Sequence, residues 1–368
     1  MRLAVLLSLA ASCAAQPLLQ HTDVFVSGSE GYHSFRIPAI VTAADGSLVA
    51  FAEGRRDNRT DPGGGDIDLV ARRSTDHGAT WSALQIVDDP GEKWAASNPT
   101  PVLDRSNGRL WIAYNRWEPG FGTDASRPGT TNNQTWLRWS DDHGKSWSAA
   151  RDITRDSRDF ENTGALFLGP GGAIQARSGR MILPSAMKFD AYSVWAQPAG
   201  SPQLMNVLRA YAIYSDDHGK TWLRGELVRA FTNENQMVEL ADGAILIDAR
   251  QGNGDHRWIA ISQDGGATWS APRLGERVTA VATAIERFDA ERLIWTGPAG
   301  PGRRKLVVRV SRDEGQTFST ERVLYGGIAA YSDLAMLSDG TAGVLWERGV
   351  SALSQFITFT RFNREFIE

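Results

Sequence analysis

"STDHGATW" at residues 74–81 returns as "SDDHGKSW" at 140–147, "SDDHGKTW" at 215–222, "SQDGGATW" at 262–269 and, more weakly, "SRDEGQTF" at 311–318. The common pattern is Ser-x-Asp-x-Gly-x-Thr/Ser-aromatic, and five copies in one chain are a repeat, not a coincidence. Each copy reads as the turn of a β-hairpin. The Asp can bond backbone amides of the turn, the Gly supplies a positive φ, and the aromatic ring packs back on the core. Strand-like runs precede the copies, among them "DLVARR" (68–73), "TWLRW" (135–139), "RAYAIY" (209–214) and "KLVVRV" (305–310). The copies start 66, 75, 47 and 49 residues apart, room for about four short strands in each unit. No amphipathic helix intervenes. The pattern predicts an all-β chain built as the blades of a β-propeller.

Composition is that of an ordinary globular protein: 368 residues, 42% hydrophobic and 22% charged. A net charge of −4 without long single-sign runs argues against nucleic-acid binding and against a polybasic membrane surface. "MRLAVLLSLAASCAAQ" (1–16) reads as a secretory leader cleaved after Ala15, leaving 16–368 as a single domain in a secreted or periplasmic protein. Cys13, the sole cysteine, offers lipoprotein anchoring as the alternative; after simple cleavage the chain has no disulfide and no thiolate metal site. No later apolar run is long enough to span a bilayer. The acidic turns fall short of a calcium-loop ligand set, and His77, His143 and His218 sit inside them, so no zinc set is dispersed along the chain. No metal or other cofactor is expected.

Repeated turns of this kind together with "FRIP" (35–38) resemble the exo-α-sialidases (neuraminidases) of the bacterial and animal type, over nearly the whole chain after the leader. The resemblance implies a six-bladed β-propeller of four-stranded antiparallel blades, with the active site on the face opposite the repeated boxes. It implies that Arg36 is the first of three arginines that clamp the carboxylate of sialic acid, with Arg250 of "ILIDAR" the second and Arg309 of "VVRVSRDEG" the third. The residues lend their own support, since a charge in the apolar run "LVVRV" is costly without a purpose and guanidinium forks match carboxylates. The bland alternative for any strand arginine is a solvated or ion-paired side chain. Glu347 of "LWER" matches the glutamate that positions the first arginine.

By the same resemblance Tyr331 of "GGIAAYSDL" is the nucleophile and Glu234 of "TNENQMVEL" its base, with Glu239 as the nearby competitor. A tyrosine titrates near 10 and needs such a partner. Its choice has a cause: the anomeric carbon of sialic acid carries a carboxylate that repels an anionic nucleophile, and sialidases are the exception to the two-carboxylate scheme. The acid/base falls in "GRRDNRTDPGGGDIDLVARRS", where Asp57, Asp61, Asp66 and Asp68 compete. The resemblance implies Asp61, because the family's acid/base aspartate lies on a flexible loop a few residues before the strand leading into the first box, whereas Asp66 and Asp68 read as strand entry; glycines 63–65 would let that loop close over substrate. "NPTPVLD" (98–104) and "GPGGAIQ" (169–175) match segments that set blade geometry; "NRWEPGFGTD" (115–124) and "KFDAYSVWAQ" (188–197) offer aromatic pocket walls.

The expected function is hydrolysis of terminal α-linked sialic acids on glycoproteins, glycolipids and oligosaccharides, with retention through a tyrosyl intermediate, by a monomer. Two alternatives stand beside it. One is a trans-sialidase or a relative preferring deaminated sialic acid; the other is a non-catalytic glycan-binding propeller, which would need neither Tyr331 nor Glu234.

Overall fold

The computed structural model describes residues 15–190, 206–252 and 254–368. The leader, Cys13 and most of "KFDAYSVWAQ" lie outside the described residues. Within them the strands pair antiparallel, apart from one parallel bridge between Ile67 and Ala95, and helix is confined to two four-residue pieces, Thr154–Ser157 and Arg364–Ile367. No helix there is long and apolar enough to cross a membrane. The predicted all-β class is what the backbone adopts.

Strands follow one another as up-and-down meanders. Ser34–Thr42, Leu48–Arg55 and Ile67–Ser74 pair in order, then Ala95–Asp104, Arg109–Trp117 and Asn133–Ser140. The same order repeats in Thr163–Leu168, Met181–Asp190 and Asn206–Ser215, and in Thr232–Glu239, Ile245–Gln251 and His256–Ser262. Ala284–Asp289, Arg292–Pro298 and Arg304–Ser311 come next. The long strand Thr320–Met336 then serves two meanders, pairing first with Arg304–Ser311 and further on with Ala342–Gly349. Finally Leu19–Val26 pairs antiparallel with Phe356–Phe362, so the start of the described chain completes its last meander.

The five boxes share one geometry. In the first, Ser74 Oγ bonds Asp76 Oδ1 and accepts from the Gly78 amide at 2.9 Å, while Asp76 accepts from the Thr80 amide at 2.9 Å and the Thr80 hydroxyl at 2.6 Å. These donors stabilise the carboxylate and lower Asp76 to about 2. The same contacts recur at Asp142, Asp217, Asp264 and Asp313. The carboxylates are spent inside the turn, as the structural reading of the motif requires.

The box glycine also explains how meanders join. A β-carbon on Gly78 would lie 2.0 Å from the Phe359 ring, and those on Gly144, Gly219, Gly266 and Gly315 would press on Val49, Trp111, Ala212 and Leu246. Each of the last four contacts belongs to the preceding meander, and the first belongs to the final strand of the chain. A ring is the arrangement that satisfies all five. With φ at +85° and no room for a methyl, Gly78→Ala should cost about 3 kcal/mol or more, measured by urea unfolding.

Bulges at one end of the first strands aim side chains off the sheet. Register shifts fall between Arg36 and Ala39, Ser97 and Thr100, Thr232 and Asn235, and Ala329 and Ser332. Two carry left-handed residues just before proline, Ile37 (φ 56°) and Asn98 (φ 54°). For a β-branched residue that conformation is strained, and the fold must hold it. Glu234 and Tyr331 lie within these bulges, and Arg36 borders its own.

At the ring axis Asp333, 1% exposed, accepts from the amides of Ile40 (2.8 Å) and Gly172 (3.2 Å) and from Gln236 Nε2 (2.8 Å), tying four segments together. Gly171 and Gly172 of "GPGGAIQ" pack directly on Asp333 and Gln236. Burial pushes Asp333 up to about 7, and burial with the nearby Asp333 charge pushes Glu286 up to about 7. A carboxyl whose folded value is raised stabilises the fold when protonated, so this contribution is full below about pH 4 and lost as pH rises to 7. Glu286→Gln should flatten the fall in melting temperature between about pH 4.5 and 7 by roughly 2–4 °C, read from melts across that range.

Candidate active site

A cleft of about 500 Å³ opens at the strand ends away from the boxes. Arg36, Asp61, Glu234, Arg250 and Tyr331 line it together, although they come from widely separated segments. The loop "NRWEPGFGTD" supplies Trp117, Gly122, Thr123 and Asp124 to its wall.

Tyr331 lies at the floor, 6% exposed. Its hydroxyl donates to Glu234 Oε1; Arg250 Nη1 donates to Glu234 Oε2 at 2.7 Å and to the phenol oxygen at 3.3 Å. Burial, and then the Glu234 charge, push the phenol well above the ordinary tyrosine value, against the pull of Arg250 and Arg36. The phenol rests protonated, and its proton already has an acceptor.

Arg36 stacks its guanidinium 5.3 Å from the Tyr331 ring centre and is gripped from behind by Glu347, Nε to Oε1 at 3.0 Å and Nη2 to Oε2 at 3.4 Å. Glu347 also accepts from the strained Ile37 amide at 3.1 Å. Burial alone would raise the Glu347 carboxyl, but Arg36 and that amide outweigh it and hold it below the ordinary glutamate value. The bulge and Glu347 therefore act as one device: they fix a charged fork at the cleft floor.

Asp61 stands at the rim, its side chain 79% exposed, accepting from Arg36 Nη1 at 3.2 Å and Arg55 Nη2 at 3.1 Å. Arg55 is buried and ion-paired to Glu53 at 2.7 Å, and it also holds the Arg59 carbonyl at 2.6 Å, so it anchors the loop that carries Asp61. Gly63 packs against Phe121 and Gly122, where a β-carbon would not fit. Two of the competing aspartates are engaged elsewhere: Asp68 accepts from Tyr32 Oη at 2.5 Å and from Arg56, which also pairs with Asp66. Glu239, the competitor of Glu234, pairs with Arg177 on the opposite side of the ring.

Arg309 is a correction. It pairs with Glu276 at 2.9 Å and Glu321 at 3.1 Å and stacks on Trp295, outside the cleft. It lies two residues before the box serine Ser311, hence at the turn end of its strand. The charge in "LVVRV" has a purpose, but that purpose is the ion-paired one. A third arginine beside the phenol is Arg303, one residue before the other end of the same strand and about 20 Å away along it. Its guanidinium lies 5.5 Å from the Tyr331 ring centre, on a side chain that makes no ion pair among the described residues. Arg303, Arg55 and Glu53 were missed by sequence reading. Placing the cleft at the strand end opposite each box would have pointed to Arg303, which enters its strand there much as Arg36 enters its own.

Three positive forks, Arg36, Arg250 and Arg303, thus surround one phenol with a carboxylate on its proton and a second carboxylate at the rim. That set can hold a carboxylate and present an oxygen nucleophile and an acid to it.

Residues 46–344 match the family model of the BNR repeat-like domain. The chain is 32% identical to a sialidase of Micromonospora viridifaciens, over 95% of this chain and 54% of that protein, and 29% identical to a sialidase of Bacteroides fragilis, over 89% and 62%. The chain therefore spans little more than half the length of these relatives. Among solved structures, a Hadza microbial sialidase superposes with a TM-score of 0.82 at 25% identity, covering 93% of this chain and 68% of that one. By its family match, its relatives and its β-propeller fold, the chain belongs to the BNR repeat-like family, of the sialidase type.

Proposed function

We propose that the protein is a retaining exo-α-sialidase that cleaves terminal sialic acids from glycoproteins, glycolipids and oligosaccharides, built as six four-stranded blades. The observation that carries the reading is the Tyr331–Glu234 hydrogen bond inside a floor of three arginines. A reaction at a carbon bearing its own carboxylate calls for that combination of neutral nucleophile, base and cationic clamp. The strand pairings support the blade count, since six successive meanders can be drawn with Thr320–Met336 shared between the last two.

The substrate carboxylate meets Arg36, Arg250 and Arg303, taking over from Asp61 the Arg36 donor it holds at rest. Asp61, as acid, protonates the glycosidic oxygen; the Tyr331 oxygen bonds to the anomeric carbon as Glu234 takes the phenolic proton, and the aglycone leaves as an alcohol. Asp61, now a carboxylate, takes a proton from water, which attacks the same carbon. Tyr331 leaves and recovers its proton from Glu234, and the sugar departs with its configuration retained. The exposed position of Asp61 suits an acid that must reach both leaving group and solvent water.

Proton NMR of a 3′-sialyllactose digest tests this reading. The α-anomer of free sialic acid should be the first product; an anhydro sugar, or transfer to added lactose as the main product, would make the protein a trans-sialidase. No turnover with retained binding would leave a glycan-binding propeller.

A further inference from the structure

On the box side of the ring, between the turns at 140–147 and 215–222, lies a second cavity of about 560 Å³. Arg109, Trp139, Asp141, Arg151, His218 and Lys220 line it. The strand Arg109–Trp117 runs from this cavity to the wall of the active cleft, so the two are separated by about 27 Å.

The fold supplies its own control. "GRLW" (108–111) and "GRMI" (179–182) occupy equivalent positions, each opening the second strand of its meander, and each arginine grips the second residue of the following "SDDHG" turn. Arg180 makes a fork on Asp216 at 2.7 Å, stacks 4.1 Å from the Tyr214 ring centre, and spends Nη1 on the carbonyls of Asp264 and Gly265 in the next box. Arg109 likewise makes a fork on Asp141, at 2.7 and 3.0 Å, and stacks 5.3 Å from Trp139. Yet the carbonyls of the next box, Gly219 and Lys220, are taken by Arg151 at 2.8 and 2.6 Å. The duty that exhausts Arg180 is done here by a second arginine. Arg109 lines the cavity, and its Nη1 makes no hydrogen bond among the described residues.

Other donors converge there without partners among the described residues. Lys220 is exposed and makes no ion pair, and the Trp139 indole N–H makes no hydrogen bond. His218, half exposed, is held through Nδ1 by Asp104 at 2.9 Å, which leaves Nε2 to the cavity. Asp141 is the carboxylate of the lining and Arg109 neutralises it, so Arg151 and Lys220 leave the cavity net positive. Ammonium, guanidinium and an indole edge around one concavity suit an oxyanion attached to a polar ring.

We propose that this cavity is a second carbohydrate-binding site, specific for an acidic saccharide whose sulfate or carboxylate sits between Lys220 and Arg109 Nη1 and whose ring lies against Trp139. It would hold the enzyme on anionic glycans while the cleft, on the other face, turns over. The proposal does not depend on the sialidase reading, because binding here needs no residue of the cleft.

Isothermal titration of the full chain with lactose-3′-sulfate, lactose-6-uronate, lactose and inorganic sulfate tests it. One site is expected for an acidic sugar, at least about 10-fold tighter than lactose or sulfate alone, with the two acidic arms telling sulfate from carboxylate preference. Lys220→Glu and Trp139→Ala should each weaken it about 10-fold or more, while Arg303→Ala in the cleft should not. Because Lys220 is exposed, its variant keeps the fold and remains a fair test if Trp139→Ala does not. Equal affinity for sulfate alone, binding abolished by Arg303→Ala instead of Lys220→Glu, or no binding of either acidic sugar would overturn the proposal.

Discussion

Replacing Tyr331 with phenylalanine should lower kcat on a sialyl-oligosaccharide by at least about 1,000-fold while KM moves little. The substitution deletes one oxygen. That oxygen lies at the cleft floor, gives its proton to Glu234 and receives Arg250 Nη1. The clamp of arginines survives, so ground-state binding is kept and the loss falls on the bond-forming step. Stability should hardly change, because phenylalanine fills the same volume and Glu234 keeps its 2.7 Å bond to Arg250. Steady-state kinetics beside a thermal melt separate the two effects. A drop of less than tenfold with an intact fold would mean that the phenol is not the attacking group.

The second large effect contrasts two arginines on one strand. Arg303→Ala should reduce kcat/KM for a sialoside by about 100-fold or more, because it removes one of three forks from a buried carboxylate. Arg309→Ala should leave kcat/KM within about threefold and instead cost roughly 1 kcal/mol of stability, through lost contacts to Glu276, Glu321 and Trp295. The reverse outcome would restore Arg309 to the site. Wild type, Arg303→Ala and Arg309→Ala, each assayed for kinetics and for urea unfolding, decide it.

The error over Arg309 shows which part of the site a sequence can carry. The boxes are local: serine, aspartate, glycine and threonine bond one another within eight residues, so their pattern survives in the text and marks one end of every strand. Arg36, Glu234 and Tyr331 stand in short segments whose neighbours, "FRIP", "NENQ" and "AAYSD", are themselves shaped by bulges, and the structure brings all three to the cleft. Asp61 was legible only through the resemblance, because a loop aspartate carries no pattern of its own, and the structure places it at the cleft rim while Asp68 is taken up by Tyr32 and Arg56. Arg303 was not legible, because its role depends on which end of a strand faces the cleft. A lone arginine in an apolar run looks more purposeful than one in the turn "GPGRRK". Arg55 and Glu53 were hidden for another reason: a buried ion pair two residues apart on a strand leaves no motif. The pairing of Leu19–Val26 with Phe356–Phe362 joins residues more than 300 positions apart, and no local signal encodes such a contact.

The central claim is that Tyr331 becomes covalently bound to the sugar. Brief incubation with a 3-fluorinated sialosyl fluoride, followed by intact-mass analysis and peptide mapping, tests it most directly. One sugar should add per chain, on the peptide bearing Tyr331, with activity lost in step and recovered as the adduct hydrolyses. An active enzyme that gains no adduct, or that carries it on another residue, would contradict the account.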